Sequence, residues 1–389
     1  MKLRIVIRIV LGAIALSLVG FGIWIASLPP APAPAAAAAA PAIPKAEADA
    51  TLAALRPPKR ARPLVAIVGI NDATETTDYL MPYGILRRAD VADVVALATE
   101  PGPVKLYPAL KVEPDATIAS FDAEHPEGAD YAIVPAMSRD DDPAVLRWIR
   151  SQAAKGAIVI GVCVGAKVVG AAGLLAGKRA TTHWYVLDEL RDATPSLRYV
   201  PDRRIVVDGR IATTTGISAS MPLALTLIEA IAGRDRADAV AREIGLPHWD
   251  ARHESDAFRF TRPFALTVLG NTLAFWNREQ LGIELVSGVD EVSLALVADA
   301  WSRTYRSRAL TFAGSEQAQR SLNGIRILPD RVATGWAAEK LLPAIGELPP
   351  AEAFDDALRA IAVRYGMPTS RVVAKQHEYP YNPREGGAR

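Results

Sequence analysis

Apolar runs separated by amphipathic segments predict alternating strands and helices over residues 62–248. Residues 64–70 (LVAIVGI) form an uninterrupted apolar run, which is typical of a parallel strand buried on both faces. The other predicted strands lie at 92–98, 131–135, 157–161, 179–182, 197–200, 204–207 and 211–214. The predicted helices lie at 77–89, 142–155, 217–232 and 235–244, and one more follows the GVCVG segment and ends near Ala172. This element order predicts an α/β fold, a flavodoxin-like three-layer sandwich with a mainly parallel sheet.

A second, shorter α/β pattern follows a connector at 249–282. It contains an apolar strand from residue 283, a helix at 290–304 and strands at 308–313 and 324–328. A shift of 215 positions places these elements on residues 67–118 and pairs Arg88 with Arg303. The pattern predicts that 283–389 holds a smaller, degenerate α/β domain, a partial repeat with a C-terminal tail.

The N-terminal pattern predicts a membrane segment. Three basic residues (Lys2, Arg4 and Arg8) precede residues 9–28, which carry no charge. Twenty helical residues rise about 30 Å, enough to cross the hydrocarbon core of a bilayer. We therefore expect a transmembrane anchor or signal over 1–28, then a Pro/Ala-rich linker over 29–61. Basic residues before the span predict a single-pass bacterial inner-membrane protein whose bulk is periplasmic.

The amino-acid composition excludes several classes of partner and of site. The 389 residues carry 44 basic and 43 acidic side chains, a formal net charge of +1, so no global field favours nucleic acid. The chain has one cysteine, Cys163, which excludes an internal disulfide framework and a thiolate metal cluster. No cofactor site, metal site or nucleic-acid partner is predicted.

Cys163 lies in the pattern Gly161-Val162-Cys163-Val164-Gly165, between a predicted strand and a predicted helix. This spacing is typical of a nucleophile elbow, in which flanking glycines allow a strained turn. The helix N-terminus favours thiolate, and the N–H of Val164 points to an oxyanion formed by attack of the sulfur. The alternative is a buried structural thiol.

Two further side chains are candidates for proton transfer with this thiol. His183 follows a strand edge twenty residues later, and the alternative is a capping role beside Trp184. Asp78 begins the first helix, after the first strand, at the sheet end where ligands bind. Asp78 is alternatively an ordinary N-terminal helix acid, and Glu75 and Asp72 compete for its role.

The segment IVIGVCVGAKVVGAAGLLAGKRATTHW resembles the nucleophile region of the ThiJ/PfpI superfamily, within the class I glutamine amidotransferase-like fold. It is most similar to the amidase-like sensor domains of AraC-type transcription regulators. The resemblance covers about 64–247. It implies that Cys163 is the nucleophile, that His183 is its neighbour, and that the acidic residue Asp78 contacts the thiol.

The chain departs from that family pattern in three places. Ala136-Met137 stands where the family usually has a glycine pair, so the second oxyanion donor would be the N–H of Ala136. Residues 283–389 show no tandem helix-turn-helix. His125-Pro126-Glu127 precedes the cysteine, whereas glutaminase domains place their His-x-Glu after it, so the chain is not expected to be a glutamine amidotransferase.

Two function classes stay open at this point. One is a cysteine-dependent hydrolase or hydratase/lyase acting on a small substrate. The other is a non-catalytic module, derived from the regulator sensor domain, that binds a small molecule or senses redox state without binding DNA. The partial repeat likewise leaves two assemblies open, a homodimer or an internal pseudo-dimer.

Overall fold

The computed structural model describes residues 12, 16–17, 19–30 and 40–380. The strands are β1 (Leu64–Gly69), β2 (Asp72–Glu75), β3 (Asp93–Ala98), β4 (Val104–Tyr107), β5 (Lys111–Glu113), β6 (Ala116–Thr117), β7 (Tyr131–Val134), β8 (Ile158–Gly161), β9 (Arg179–Ala180), β10 (Arg198–Tyr199), β11 (Ile205–Asp208), β12 (Ile211–Thr214), β13 (Glu279–Glu284), β14 (Ser307–Ala313), β15 (Gln319–Arg320), β16 (Arg326–Leu328) and β17 (Arg331–Val332).

The helices alternate with these strands along most of the chain. They are α1 (Lys45–Ala54), α2 (Thr76–Ala89), α3 (Ile118–Glu124), α4 (Pro143–Ala154), α5 (Gly165–Ala171), α6 (Leu187–Ala193), α7 (Ser220–Ala232), α8 (Arg234–Glu243), α9 (Arg262–Leu273), α10 (Glu291–Ser302), α11 (Pro350–Tyr365) and α12 (Met367–Gln376).

The central sheet has seven strands in the order β11-β12-β8-β7-β1-β3-β6. Strand β11 pairs antiparallel with β12, and the other neighbours run parallel. Every residue of β1, β7 and β8 is buried, as the continuous apolar runs require of strands covered on both faces. Parallel strands place their carboxyl ends at one edge, so the residues after β1, β7 and β8 meet there.

A second sheet crosses the boundary predicted between the two α/β patterns. Its order is β15-β16-β5-β4-β2, with antiparallel pairs except for β2–β4. Strands β13, β14 and β17 form a parallel sheet. The expected fold class, a mainly parallel sandwich followed by a smaller domain, is therefore corrected to an α/β fold with mixed sheets. Pairing of β5 with β16, distant in sequence, is the physical reason.

The C-terminal elements pack on the N-terminal ones. Helix α10 packs against α2 at Gly84. A Cβ atom at this position would be 2.6 Å from Cγ2 of Val292, so glycine allows the two helices to approach closely. One apolar core runs from Leu55 to Ala374. Strands β1 and β13 begin 215 positions apart, as do β6 and β17, in agreement with the shift seen in the sequence.

The predicted membrane segment is corrected. Among the described residues, the structure contains no helix with the length and apolar character needed to cross a bilayer. A crossing requires about 20 consecutive apolar residues in one helix. The transmembrane helix expected over 9–28, and the inner-membrane location that rested on it, are therefore wrong as predictions. Residues 1–11, 13–15 and 18 of this segment lie outside the described part, as do 31–39 of the linker and 381–389 of the tail.

Candidate functional site

Cys163 lies on a sharp turn between β8 and α5. Its φ is +56°, a left-handed conformation that non-glycine residues rarely adopt. A Cβ on Gly165 would overlap the carbonyl oxygen of Val134, and one on Gly161 would lie 2.9 Å from Cα of Ala166. Both glycines of the motif are therefore required by close backbone packing, and the turn has the geometry of an elbow.

Two threonines hold the strained residue in place. The N–H of Cys163 donates to Oγ1 of Thr214 at 3.0 Å, and Oγ1 of Thr182 donates to the carbonyl oxygen of Cys163 at 3.0 Å. Both hydroxyls are buried, so each bond is made where water does not compete. The strain is thus supported by neighbouring strand ends, which is how strained residues persist at functional sites.

The Cys163 thiol is held in its neutral form. It is 3% exposed. Burial raises the pKa of Cys163 well above its usual value, and the carboxyl groups of Asp78, Glu75 and Glu378, when ionised, raise it further, while the hydrogen bond from the N–H of Val164 opposes them. The sequence predicted a thiolate from the helix N-terminus, but burial and the carboxylates outweigh that effect.

Asp78 is fully buried at the start of α2. Its Oδ2 accepts the N–H of Ala136 at 3.1 Å, while its Oδ1 has no hydrogen-bond partner. Burial and then the charge of Glu75 raise the pKa of Asp78 well above its usual value. A carboxyl group with one unpartnered buried oxygen is therefore a neutral acid. Ala136, predicted as an oxyanion donor, uses its N–H to orient this acid.

Glu75 is the more solvated partner of the two carboxyl groups. It accepts from the N–H of Asp78 at 2.6 Å, from Oγ1 of Thr77 at 2.8 Å and from Nη2 of Arg303 at 2.8 Å. Burial raises the pKa of Glu75, and Arg303 opposes this rise. With three donors on Glu75, one of them a guanidinium, the proton shared by the pair resides on Asp78.

His183 forms part of the cavity wall, with both ring nitrogens in hydrogen bonds. Nδ1 accepts the N–H of Tyr185 at 3.1 Å, and Nε2 lies 2.9 Å from the carbonyl oxygen of Gln376, to which it donates. Burial lowers the pKa of His183 below its usual value, so the ring is neutral. Neither bond is made to Cys163. The predicted proton-transfer role of His183 stays a prediction.

A cavity of about 610 Å³ opens above the sulfur. It is lined by Cys163, Val164, His183, Glu75 and Ala136, which the sequence had indicated, and by residues it had not: Tyr107, Phe260, Phe264, Arg303, Tyr305 and Gln376. A larger opening of about 750 Å³ lies elsewhere and contains no thiol. The sequence feature that could have indicated Arg303 as a site residue is its pairing with Arg88 under the shift of 215 positions.

The DJ-1/PfpI family model matches residues 65–230 of this chain. The chain is 36% identical to an isonitrile hydratase of Pseudomonas putida over 172 residues, 43% of this chain and 72% of that protein. It is 26% identical to the Parkinson disease protein 7 homolog of Danio rerio over 181 residues, 45% of this chain and 93% of that protein. It is 35% identical over 104 residues to the HTH-type transcriptional regulator CdhR of Pseudomonas aeruginosa, covering 27% of this chain and 31% of the regulator.

The match to the hydratase covers 72% of that protein, and the residues matched by the family model include the elbow, the strand ends around it and helix α2. The resemblance to the ThiJ/PfpI superfamily, and to AraC-type regulators that carry the same domain, is confirmed. This chain belongs to the DJ-1/PfpI family.

Proposed function

We propose that this chain is a cysteine-dependent hydratase that adds water to the terminal carbon of a small isonitrile. The observation that carries the proposal is one cavity lined by both the Cys163 thiol and Glu75, with the buried acid Asp78 donating its N–H to Glu75 behind the cavity wall. Similarity to an isonitrile hydratase supports the choice of substrate. An isonitrile carbon first accepts a proton and then a nucleophile, so it requires both an acid and a thiol.

The chemistry begins with addition of the thiol across the isonitrile carbon. The proton held by the Asp78–Glu75 pair passes to that carbon by way of Glu75, which lines the cavity, the sulfur of Cys163 bonds to the same carbon, and the thiol proton returns to the pair. The product is a thioimidate, R–N=CH–S, attached to the protein. Because acid and thiol both start neutral, no thiolate has to form before the substrate arrives.

Water then completes the reaction. It adds to the thioimidate carbon, and one of its protons ends on the substrate nitrogen. The C–S bond breaks, the hydroxyl proton returns to sulfur, and R–NH–CHO leaves as an N-substituted formamide. The N–H of Val164 stabilises the departing sulfur, since it already donates to that atom. His183 would position water or carry a proton in this stage.

We also propose that residues 279–332 stand where a second subunit would, which makes the chain an internal pseudo-dimer. Nη2 of Arg303 lies 2.8 Å from Oε1 of Glu75, and Nη2 of Arg88 lies 2.8 Å from Oδ2 of Asp290. Glu75 and Asp290, like Arg88 and Arg303, are 215 positions apart. The two ion pairs are thus reciprocal, as contacts across a twofold axis are.

Incubation of the purified chain with an alkyl or aryl isonitrile tests the proposal. We expect the N-substituted formamide to accumulate, as quantified by mass spectrometry, and the Cys163→Ala variant to reduce its rate at least 100-fold. A Ser138→Ala variant, which changes a cavity-wall hydroxyl already bonded to the carbonyl of Asp72, serves as the matched control. Equal rates for the wild type and Cys163→Ala would refute the hydratase.

A second candidate, a non-catalytic sensing module, is favoured by one specific observation. The pKa of Cys163 is raised rather than lowered, and a neutral thiol is a weak nucleophile. The module would bind a small molecule in the same cavity and would not bind DNA. Tight binding of an isonitrile, with no formamide formed over many hours, would select this function.

A further inference from the structure

One wall of the cavity above Cys163 is built from stacked aromatic rings. Phe260 packs edge-to-face on Phe264 with ring centroids 5.5 Å apart, and Phe264 packs in the same way on Trp184 at 5.7 Å. Tyr107 and Tyr305 also line the cavity. Phe260 and Phe264 belong to the segment that begins α9, beyond the residues matched by the family model.

The side-chain donors of Trp184 and Ser138 on the cavity wall already have hydrogen-bond partners. Nε1 of Trp184 donates to the carbonyl oxygen of Lys375 at 3.1 Å, so its ring presents an apolar surface to the cavity. Oγ of Ser138 donates to the carbonyl oxygen of Asp72 at 3.2 Å. A ligand could use these two donors only by displacing the bonds that they already make.

The charges lining the cavity are compensated as well. Nη2 of Arg303 lies 2.8 Å from Glu75, and Nε of Arg303 lies 2.7 Å from Asp299. A charged ligand would have to break these pairs to gain a counter-ion, and breaking a buried pair is costly. The paired charges of the cavity therefore disfavour ionic ligands, whereas its aromatic wall favours apolar ligands.

We infer that Phe260 and Phe264 are specificity-determining residues that select substrates with a neutral aromatic or cycloaliphatic group attached to the reacting atom. The inference rests on the proposed hydratase for the identity of the reacting atom. Its physical content is independent of turnover: the reactive head meets Cys163, and the apolar tail lies against the aromatic wall formed by Trp184, Phe260 and Phe264. Specificity then comes from a segment outside the residues that the family model matches.

The inference is tested by comparing how fast the Cys163 thiol reacts with maleimides that carry different N-substituents. We would measure second-order rates of Cys163 with N-methylmaleimide, N-benzylmaleimide and the anionic N-carboxyethylmaleimide at pH 8.5, each divided by the rate with glutathione. We expect the benzyl reagent to exceed the methyl reagent about tenfold or more, the range for an added apolar group in a complementary pocket, and the anion to be slowest. A benzyl-to-methyl ratio equal to that of glutathione would overturn the inference.

Substitutions of Phe260 and Phe264 test whether these two residues cause the preference for the benzyl reagent. Phe264→Ala and the half-buried Phe260→Ala should each lower the benzyl-to-methyl ratio at least threefold, with far-ultraviolet circular dichroism as the check that they fold. Phe275→Ala is the matched control, since Phe275 is 65% exposed and does not line the cavity. An unchanged ratio in both folded cavity variants would overturn the assignment. Absence of hydration with the tail preference intact would reject the hydratase alone, and hydration without any preference would reject this inference alone.

Discussion

At the scale of single residues, the site combines an acid and a thiol that both keep their protons. Helix α5, which begins after Cys163, has seven residues, and its dipole acts on the sulfur together with the N–H of Val164. Against these stand burial and the charges of Asp78, Glu75 and Glu378. The balance raises the pKa of the thiol, so reactivity is expected to increase with pH through the alkaline range.

Replacement of Asp78 by Asn should make the thiol easier to ionise. Asp78 is neutral until the pH rises into the alkaline range, where its carboxylate raises the pKa of Cys163, whereas an amide of the same shape never becomes charged. The rate of alkylation by iodoacetamide, measured from pH 6 to 11, should therefore reach half its maximum about one pH unit lower in Asp78→Asn. Below the midpoint the variant should alkylate faster than the wild type.

Asp72→Asn is the control for this experiment. It makes the same chemical change three residues before Glu75, on a side chain that is 79% exposed. Water screens such a charge, so the alkylation profile of Asp72→Asn should superimpose on that of the wild type. Superimposed profiles for Asp78→Asn and the wild type would show that Asp78 does not act on the thiol.

The sequence indicated Cys163 and Asp78 because their signals are local: a glycine-bracketed turn, and an acid after a buried strand. The partners of His183 could not be predicted in this way. Its Nε2 bonds the carbonyl of Gln376, nearly two hundred residues later, and only the folded chain brings the two together. A histidine's available nitrogen depends on such partners, which spacing does not reveal.

At the scale of elements, the strands buried on both faces were predictable to within a residue or two. Predicted strands at 92–98 and 131–135 correspond to 93–98 and 131–134 in the structure. Strands β2, β4 and β5 were missed because they are short, and because β5 is completed by β16 from the C-terminal part. Because β5 and β16 are far apart in sequence, their pairing produces no hydrophobic periodicity in either segment that would reveal it.

Glu378, which follows the end of helix α12, hydrogen-bonds the backbone next to His183. Oε1 of Glu378 accepts the N–H of Trp184 at 2.8 Å, and Oε2 accepts the N–H of Gly216 at 2.9 Å. Glu378→Gln would place an amide N–H against one of these donors in a buried site. We expect the free energy of unfolding to fall by about 1–3 kcal/mol in urea denaturation.

Glu352→Gln provides the comparison for Glu378→Gln. Glu352 is an exposed acid in the first turn of α11, so its replacement should change the free energy of unfolding by less than about 0.5 kcal/mol. Equal losses for the two variants would mean that Glu378 is not a structural bond acceptor. A loss confined to Glu378→Gln would place the C-terminal segment among the determinants of the site.

At the scale of the whole molecule, the two α/β patterns act as one unit. Arg303 from the C-terminal part reaches Glu75 in the site, and Arg88 from the N-terminal part reaches Asp290. Their side chains are 16% and 9% exposed, so both pairs are largely buried. The pairs differ in their surroundings: Arg303 lines the cavity above Cys163, whereas Arg88 is not among the cavity residues.

This difference yields a matched test of the pseudo-dimer arrangement. Arg303→Met removes the arginine from Glu75 and Asp299, and Arg88→Met removes it from Asp290, so each should lower the free energy of unfolding by about 3–5 kcal/mol. Loss of a positive charge beside Glu75 should also raise the midpoint of the Cys163 alkylation profile in Arg303→Met, since the charge of Glu75 raises the pKa of the thiol. Arg88→Met should leave that midpoint unchanged. If both variants moved the midpoint equally, or neither did, the C-terminal part would contribute stability to the fold without contributing a charge to the site.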